Sequence, residues 1–357
     1  MQQSMRHLIL FDHDTRHYRR PIYRAFRDEF RKLGYELVVV YDTGKLTVEN
    51  DDLFVGIRYT LRNFIRVIRK YNCNIIIQFV WLKYLFLFPF MIYCRLTGIK
   101  VIVWSHGIGM KSLDNPLVRN LHYLRHKLAT ALIIYSDNER KYVRSNHKKL
   151  FVANNTLHFN SFPVIEKTRE DLKEKYGFIN RKIILSVGRF NALQRKVKHL
   201  ILAFNEMPLE NVRLILIGPG VSEEEMSLIK QNANIVYRGE IYDPLIVNEN
   251  YKMADIFVMP GGIGLGINHA FYYGLPVIVE NSPVHSPEIT YLENGRNGFI
   301  YEKNNIADLK EKMMTLLSDE NLYLQFSEHA RNTILTRGSF EKMVGGFMEA
   351  IKYTEQC

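Results

Sequence analysis

Short runs of consecutive apolar residues, separated by longer helical stretches, are the feature that most constrains how this chain can fold. The segments VIVW at 101–104 and LILI at 214–217 show no alternation of apolar and polar residues. A strand that is apolar on both faces must be covered on both faces, as in a parallel sheet with helices on either side. The sequence therefore predicts an α/β protein with parallel sheets. Predicted strands lie at His7–Phe11, Glu36–Tyr41, Asn74–Val80, Lys100–Trp104, Ala131–Tyr135 and Leu150–Val152, and at 182–187, 213–217, 234–237, 255–259 and 276–279.

The length of the chain, 357 residues, is too great for one ordinary domain and favours two. A mostly polar stretch at 160–174 predicts the linker. We expect an N-terminal domain at 1–162, a C-terminal domain at 163–335, and a final helix at 336–357 that packs back on the N-terminal domain. Both domains are predicted to be Rossmann-like and to face a cleft, with ligands at the carboxyl ends of the strands.

Charge is distributed unevenly along the chain. The net charge is +11, but residues 1–162 contain 26 Lys and Arg against 12 Asp and Glu, whereas the remainder contains 22 against 25. Such asymmetry indicates an anionic partner for the N-terminal half, which could be membrane lipid, a phosphate-containing substrate or nucleic acid. Nucleic acid ranks last, because the basic half contains no recognised nucleic-acid-binding module.

Two neighbouring segments of the basic half favour a membrane surface. In Ile57–Tyr71, four arginines fall near one helical face and apolar residues form another, which is typical of a helix that lies on an anionic membrane. The solvated outer face of an ordinary core helix fits the same pattern. The apolar run Ile75–Tyr93 is nearly long enough to span a bilayer, but polar residues and Pro89 interrupt it. It divides better into a buried strand and an apolar helix at Leu82–Leu96.

Cysteine usage and the N-terminus bear on the location of the protein. The three cysteines have no metal-type spacing and no even pairing, which favours a reducing cytosol. Nothing in the first residues resembles a signal peptide. Together with the charge, this predicts a cytoplasmic protein at the periphery of the inner face of the cell membrane.

A glycine-rich stretch, PGGIGLGINHAFYYGLPVI at 260–278, follows a predicted strand and opens a helix. Glycines let backbone amides approach a ligand closely, and the ligand of such a strand, turn and helix is usually phosphate. A dinucleotide-binding fingerprint requires glycine at position 267, which is Ile267. A tight turn with a purely structural role is the other alternative.

Six segments in register resemble the donor-binding domain of retaining glycosyltransferases of family 4, which have the two-domain GT-B fold. The resemblance covers nearly all of residues 180–320. It implies a nucleotide diphosphate sugar as the donor and no metal or other cofactor. The segments are SVGRFNALQRKVKHLILAF (186–204), LILIGPG (214–220), VYRGEIYD (236–243), YKMADIFVMP (251–260), HAFYYGLPVI (269–278) and SPEITYLENGRNGFIY (286–301).

The resemblance implies roles for residues of the C-terminal domain. Arg189 and either Arg195 or Lys196 would neutralise the donor diphosphate through charge-assisted contacts, and the choice within that pair stays open. A solvated basic face is the alternative for this cluster. The backbone near Gly239 and Glu240 would line the base pocket. The loop amides expected to meet the same diphosphate belong to Gly262, Ile263, Gly264 and Leu265.

Two departures from the family fall in the glycine loop. Relatives carry two glutamates eight residues apart, one for donor-sugar hydroxyls and one for the ribose, and these positions are Gly261 and His269 here. Neutral histidine can donate and accept, so His269 can still engage the ribose diol. A histidine with a structural role is the alternative. Glu288 could supply a carboxylate nearby.

The N-terminal half supplies a second group of candidates. His106 follows a predicted strand, and relatives place a histidine of this region at the donor sugar; a histidine that bonds only its own loop is the alternative. The sequence Asp12-His13-Asp14 superficially resembles a metal-binding motif of another transferase fold, which we discount because the topology differs. The residues expected to dock the phosphate of an acceptor are Arg16, His17, Arg19 and Arg20.

The function expected from these features is retaining transfer of a sugar to a glycan acceptor, lipid-linked or oligosaccharide, in bacterial polysaccharide or lipopolysaccharide assembly. The leaving phosphate would help to take the acceptor proton. Two alternatives stay open. One is a GT-B-fold nucleotide-sugar epimerase, although no convincing pair of carboxylates for proton abstraction is present. The other is a nucleotide-binding partner subunit without catalysis, which the two missing glutamates favour.

Overall fold

A computed structural model describes residues 5–13, 15, 19–44, 51–108, 115–144, 147–192, 195–208 and 210–357. The chain divides into two compact units. Unit 1 consists of Met1–His158 and Phe340–Cys357, and unit 2 consists of Phe159–Ser339. Each unit is built around one parallel sheet with helices on both faces.

Unit 1 contains a seven-stranded sheet in the order β3-β2-β1-β4-β5-β6-β7, and every pair of neighbours is parallel. The strand order reverses beside β1, where Leu10 lies opposite Val39 of β2 and Ile77 of β4. In open parallel sheets, such a reversal places the carboxyl ends of adjacent strands around a crevice. The strands are β1 Arg6–Asp12, β2 Tyr35–Asp42, β3 Phe54–Ile57, β4 Ile75–Phe79, β5 Lys100–Trp104, β6 Ala131–Ile134 and β7 Leu150–Val152.

Among the residues that the structure describes, the helices of unit 1 that precede unit 2 in the chain are α1 Arg20–Arg31, α2 Leu61–Lys70, α3 Leu87–Leu96 and α4 Pro116–Leu128. Alternate strand residues point to opposite faces, so the sheet supports two cores. On one face, Leu8 and Leu10 pack in the same core as Phe26 of α1. On the other face, Phe11 packs with Phe64 of α2 and Phe90 of α3.

The predicted amphipathic helix in the basic half is α2. Its apolar residues Phe64, Val67 and Ile68 recur with helical spacing and are buried in unit 1. Thr60 begins the helix, because its side chain accepts a hydrogen bond from the Asn63 amide. The apolar face of α2 therefore packs in the interior of the unit, and its arginines form the outer face.

Unit 2 contains a six-stranded parallel sheet in the order β10-β9-β8-β11-β12-β13. The strands are β8 Lys182–Val187, β9 Val212–Ile217, β10 Ile235–Tyr237, β11 Ile256–Met259, β12 Val277–Glu280 and β13 Gly298–Tyr301. Helices α5 Arg169–Lys175, α6 Val197–Asn205, α7 Glu223–Lys230, α8 Pro244–Met253, α9 Gly266–Tyr272, α10 Ile306–Ser318 and α11 Glu320–Thr336 belong to this unit, and α12 Phe340–Glu355 belongs to unit 1.

Three local features differ from the predicted elements. The edge strands β3 and β13 were not predicted, and helix α5 lies in the stretch predicted as a linker. A capping box formed by Thr168 and Asp171 begins α5. The apolar segment at 82–96 becomes helical only at Leu87. Across the residues that the structure describes, every helix is too short or too polar to cross a bilayer.

Candidate functional site

Four loops meet at the carboxyl edge of the unit 2 sheet. The Gly188 amide donates to Ile217 O at 2.9 Å, which joins the loop after β8 to the end of β9. The Gly218 amide donates to Gly239 O at 2.7 Å, which adds the loop after β10. The Lys196 amide donates to Pro260 O, just after β11, at 2.9 Å, and so brings in the glycine loop. These contacts gather the predicted donor-site segments at one edge of the sheet.

Gly218 shows how close this approach is. Its φ is +134°, and a Cβ at this position would lie 1.9 Å from the carbonyl oxygen of Gly188. No side chain fits in that space, so the GPG motif at 218–220 is required for the two loops to pack.

The glycine loop begins at Gly261, whose φ is +92° and which forms an antiparallel bridge with Arg195. The Ile263 carbonyl accepts from the Ser286 amide at 2.8 Å. Within the described part of the chain, no acceptor bonds to the amides of Gly264 and Leu265. Two backbone donors of the predicted loop are therefore available to an anion, whereas the Ile263 amide, predicted as another, is bonded to His285.

His285 holds this loop in place. Its Nδ1 accepts from the Ile263 amide at 3.1 Å, and its Nε2 donates to Glu280 O at 2.8 Å. Burial lowers the pKa of His285, which keeps the ring in the neutral form that can accept at Nδ1. No local sequence pattern indicates this role, because the two residues are 22 positions apart along the chain.

The two adjacent cations predicted for the diphosphate have different surroundings. Lys196 Nζ donates to Glu280 Oε1 at 2.5 Å and Oε2 at 2.7 Å, and to Asn304 Oδ1 at 2.6 Å. Its charge is therefore neutralised by a buried carboxylate. Arg195 is half-buried and has no acidic or hydrogen-bonding side-chain partner among the described residues. Desolvation lowers the pKa of Arg195, and the nearby Tyr251 offsets this shift only in part.

Arg189, predicted for the diphosphate, and the predicted base-pocket residues Gly239 and Glu240 lie on the outer side of the site. Arg189 is exposed immediately after β8, and Glu240 is exposed next to Gly239, whose φ is +65°. A hydrogen bond to Glu240 raises the pKa of Tyr242, and the positive charge of Arg189 opposes this shift. Arg189, Glu240 and Tyr242 thus form a single polar group.

His269 lies in α9 and stacks on Tyr251 with ring centroids 3.8 Å apart and planes at 8°. Asn248 Oδ1 also accepts from the Tyr273 hydroxyl, at 2.9 Å, and lies 2.9 Å from His269 Nε2, which therefore acts as the donor. Burial lowers the pKa of His269 to about 3, so the ring is neutral and Nδ1 is an acceptor. The predicted contact with a ribose hydroxyl would use this nitrogen.

Glu288 and Gly261 complete the predicted donor-binding set. Glu288 is buried in a short 3₁₀ segment, and its Oε2 lies 3.9 Å from where a Cβ of Gly264 would be. Gly262 and Ile263 are buried within the loop itself. The carboxylate of Glu288 therefore lies beside the glycine loop, close to Gly264.

In unit 1, His106 lies just beyond the carboxyl end of β5. Its Nδ1 is 2.9 Å from Glu139 Oε1, and its ring stacks on Tyr135 with a centroid distance of 4.3 Å. Glu139 Oε2 accepts from the Tyr135 amide at 2.7 Å, which fixes the carboxylate. About half of the His106 side chain (51%) is exposed. Sequence reasoning missed Glu139, and its position shortly after an apolar strand is the only signal that could have indicated it.

The predicted acceptor residues are only partly described. Arg16, His17 and Asp14 lie outside the described residues. The Arg19 guanidinium lies 4.2 Å from the Phe79 ring centroid and 4.0 Å from Asp12 Oδ2, with 13% of its side chain exposed. Arg20 is half-buried as the first residue of α1. Arg19 is therefore enclosed by an aromatic ring and a carboxylate.

The carboxylate of Asp12, considered above for a metal, accepts from the Tyr23 hydroxyl at 2.6 Å. Across the described ranges, no three His, Cys, Asp or Glu side chains are grouped so that they could hold a metal ion.

Comparison with known proteins agrees with this architecture. Residues 168–333 match the family described as glycosyl transferases group 1. HepE from Anabaena, solved with UDP, superposes with a TM-score of 0.74 at 14% identity, covering 98% of this chain and 100% of that one. Its complex with UDP-glucose gives a TM-score of 0.73 at 13% identity, covering 97% and 99%. The fold is therefore that of GT-B glycosyltransferases, with two Rossmann-like halves.

Curated relatives carry the same class of name. An uncharacterized glycosyltransferase of Haemophilus influenzae is 27% identical over 252 residues, which are 66% of this chain and 65% of the relative. The capsular polysaccharide biosynthesis glycosyltransferase CapM of Staphylococcus aureus is 27% identical over 236 residues, 59% and 60% of the two chains. The chain thus spans less than two thirds of the length of these relatives. The comparisons therefore show the GT-B fold and a similarity to proteins that are named as glycosyltransferases.

Proposed function

We propose that the protein is a retaining glycosyltransferase that transfers a sugar from a nucleotide diphosphate donor to a lipid-linked glycan in bacterial cell-surface polysaccharide synthesis. One observation carries the proposal. The half-buried Arg195, without an acidic partner in the described part of the chain, lies beside a glycine loop whose Gly264 and Leu265 amides lack acceptors. A cation and two amide donors at the carboxyl edge of a parallel sheet suit a diphosphate.

The chemistry assigned to this site is stabilisation of the leaving group. The bond between the anomeric carbon and the diphosphate oxygen breaks, and the acceptor oxygen bonds to the same face of the sugar. The hydroxyl proton of the acceptor passes to the departing phosphate oxygen. Arg195 and the loop amides stabilise the negative charge that develops there, and Arg189 adds a second cation. In this scheme no metal takes part, and His106, oriented by Glu139, contacts the donor sugar.

The relatives support the class of donor and the setting. The name of CapM places that protein in capsular polysaccharide synthesis, and HepE was solved with UDP and UDP-glucose. A UDP-sugar is therefore the first donor to test. The glycan acceptor follows from the resemblance to polysaccharide transferases.

Arg195 provides the test of the donor site. In Arg195→Ala, the loss of one or two charge-assisted hydrogen bonds of about 1.5–3 kcal/mol each should weaken UDP binding at least tenfold. The matched control is Lys198→Ala, because Lys198 pairs with Glu224 on an exposed part of α6. Isothermal titration with UDP, and then with a panel of nucleotide sugars, measures both variants. Equal affinity in Arg195→Ala and wild type would contradict the assignment.

A second candidate function is that of a nucleotide-binding partner subunit without catalysis. The two positions that depart from the family favour it. Gly261 offers no side chain, and His269 Nε2 is already bonded to Asn248. Binding of UDP without sugar transfer, across a broad set of donors and acceptors, would favour this candidate over the transferase.

A further inference from the structure

One face of unit 1 is strongly and exclusively basic. Between Leu53 and Ser136 the sequence contains twelve Lys and Arg and a single acidic residue, Asp114, which lies outside the described residues. Helices α2, α3 and α4, which this segment forms, contain no acidic residue. Arg62, Arg66 and Arg69 of α2 are exposed. This combination leaves an outer surface of fixed positive charge, defined here as the α2–α4 face.

The opposite face of the same unit is balanced. The cations of α1 pair with acidic residues: Arg24 with Asp51 at 3.0 Å, and Arg31 with Glu36 at 2.7 Å. Lys32 pairs with Glu29 at 2.7 Å. If the positive charge served only to keep the unit solvated, the two faces would not need to differ. Instead, the cations of the α1 face are paired with acidic residues, and the helices of the α2–α4 face contain none. The asymmetry therefore indicates an external anion at the α2–α4 face.

Helix α3 adds apolar surface to this charge. Its inward residues Phe90, Met91 and Cys94 are buried in unit 1. Two of its outward side chains are apolar as well: Ile92 is 49% exposed and Leu96 is 82% exposed. Leu85, in the turn before the helix, is 62% exposed. Exposed apolar side chains that lie on and next to one surface helix are typical of an interaction site.

A basic pocket of about 290 Å³ lies at the carboxyl end of α3. Its lining includes Arg95, Lys100 and Lys127, and no described acidic residue takes part in it. Lys100 Nζ donates to Cys357 O at 3.1 Å, whereas Arg95 and Lys127 are exposed. Arg95, which lines the pocket, directly precedes Leu96 in the last turn of α3. The pocket and the exposed apolar residues therefore share this end of the helix.

We propose that the α2–α4 face docks on a bilayer of anionic phospholipid. Leu85, Ile92 and Leu96 enter the interfacial region, and the arginines of α2 lie over the headgroups. The pocket beside Arg95 receives a lipid phosphate. Helix α3 has ten residues and is about 15 Å long, half of a hydrocarbon core of about 30 Å. The helix therefore lies in the interfacial region and does not cross the bilayer. The proposal goes beyond sugar transfer and does not depend on it.

Vesicle sedimentation tests the docking face. The wild type should bind vesicles made of equal parts of phosphatidylcholine and phosphatidylglycerol, and this binding should weaken as the salt concentration rises. It should not bind vesicles of phosphatidylcholine alone. Each cation removed should weaken partitioning about fivefold, so Arg62→Gln with Arg66→Gln should cost about 25-fold. Ile92→Ser with Leu96→Ser should cost about tenfold. These side chains are exposed, and thermal unfolding of each variant verifies that it folds.

Matched controls separate this face from general charge. Arg31→Gln with Lys32→Gln removes the same charge from α1 and should leave partitioning within about twofold of wild type. Arg195→Ala should also bind vesicles as wild type does, which separates this proposal from the donor site. Arg95→Gln with Lys127→Gln should weaken binding, because the pocket then lacks two of its three cations. Equal binding to both kinds of vesicle, equal losses in the α1 control, or binding of a single-stranded oligonucleotide in place of vesicles would each overturn the proposal.

Discussion

At the scale of single residues, the contrast between Arg195 and Lys196 shows how far neighbours in sequence can differ in role. Both are cations next to the glycine loop, and the sequence left the choice between them open. Lys196 bonds the carboxylate of Glu280, which is fully buried, and Asn304. Arg195 forms a backbone β-bridge with Gly261, and its side chain has no acidic partner among the described residues. We therefore propose that Lys196 stabilises the folded unit and that Arg195 binds the anion.

Truncation of the two residues should change the free energy of unfolding by different amounts. Lys196→Ala leaves a buried carboxylate without its counterion and should lower the free energy of unfolding by about 3 kcal/mol. Arg195→Ala removes a desolvated charge and should change it by less than about 1 kcal/mol. Denaturant unfolding measures both. The double variant Lys196→Met, Glu280→Gln should recover most of the loss, because neither charge is then left alone. A larger loss in Arg195→Ala than in Lys196→Ala would reverse the assignment.

At the scale of elements, the interior strands were predictable and the edges were not. The bounds of β5 and β8 agree residue for residue with the apolar runs, because a central parallel strand must be apolar on both faces. Strand β3 contains Gly56 and is the edge of its sheet, so its pattern is weaker. Helix α5 was missed because its polar composition masked the capping box at Thr168.

The candidate site divides in the same way. Gly261 and Gly264 were predicted to share one loop, because strand, turn and helix are consecutive in the chain there. The structure adds Arg195 to this loop, because β8 and β11 are neighbours in the sheet. The contact from His285 to Ile263 and the contact from Glu139 to His106 join residues 22 and 33 positions apart. Such contacts depend on how loops pack across the edge of a sheet, which no local pattern records.

The packing of these loops makes a prediction for Gly218. In Gly218→Ala, the new Cβ would overlap Gly188 O and the residue would keep a φ of +134°. The overlap should lower the free energy of unfolding by about 2 kcal/mol or more and displace the loop that carries Arg189. UDP binding should weaken with it. Gly177→Ala is the matched control, since its φ is +75° and no atom lies within 4 Å of its Cβ; it should cost only about 1 kcal/mol. Equal losses in the two variants would exclude the steric explanation.

At the scale of the whole molecule, the two units differ in charge and in what they bury. Unit 1 carries the unbalanced basic face, whereas several cations of unit 2 have acidic partners, as Lys173 has in Asp255 and Lys175 in Glu249. Both units bury neutral histidines. Burial lowers the pKa of His122 to about 4 and of His126 to about 3 in unit 1, and that of His269 to about 3 in unit 2. Each unit therefore carries a built-in sensitivity to acid.

The sign of this sensitivity follows from the direction of the pKa shifts. Each of these histidines has a folded pKa below its unfolded value of about 6.5, so the unfolded chain takes up the proton first as the pH falls. Stability should be constant above about pH 7.5 and should fall by up to about 1.4 kcal/mol per pH unit for each histidine below about pH 6.5. Both tryptophans, Trp81 and Trp104, lie in unit 1, so their fluorescence reports the unfolding of that unit. Fluorescence-monitored unfolding should therefore lose about 2 kcal/mol between about pH 7.5 and about pH 5.5. His269→Gln, which keeps a donor for Asn248, should leave this loss unchanged and reduce the loss seen by circular dichroism, which reports both units. A fluorescence transition indifferent to pH in this range would mean that His122 and His126 are not buried in their neutral form.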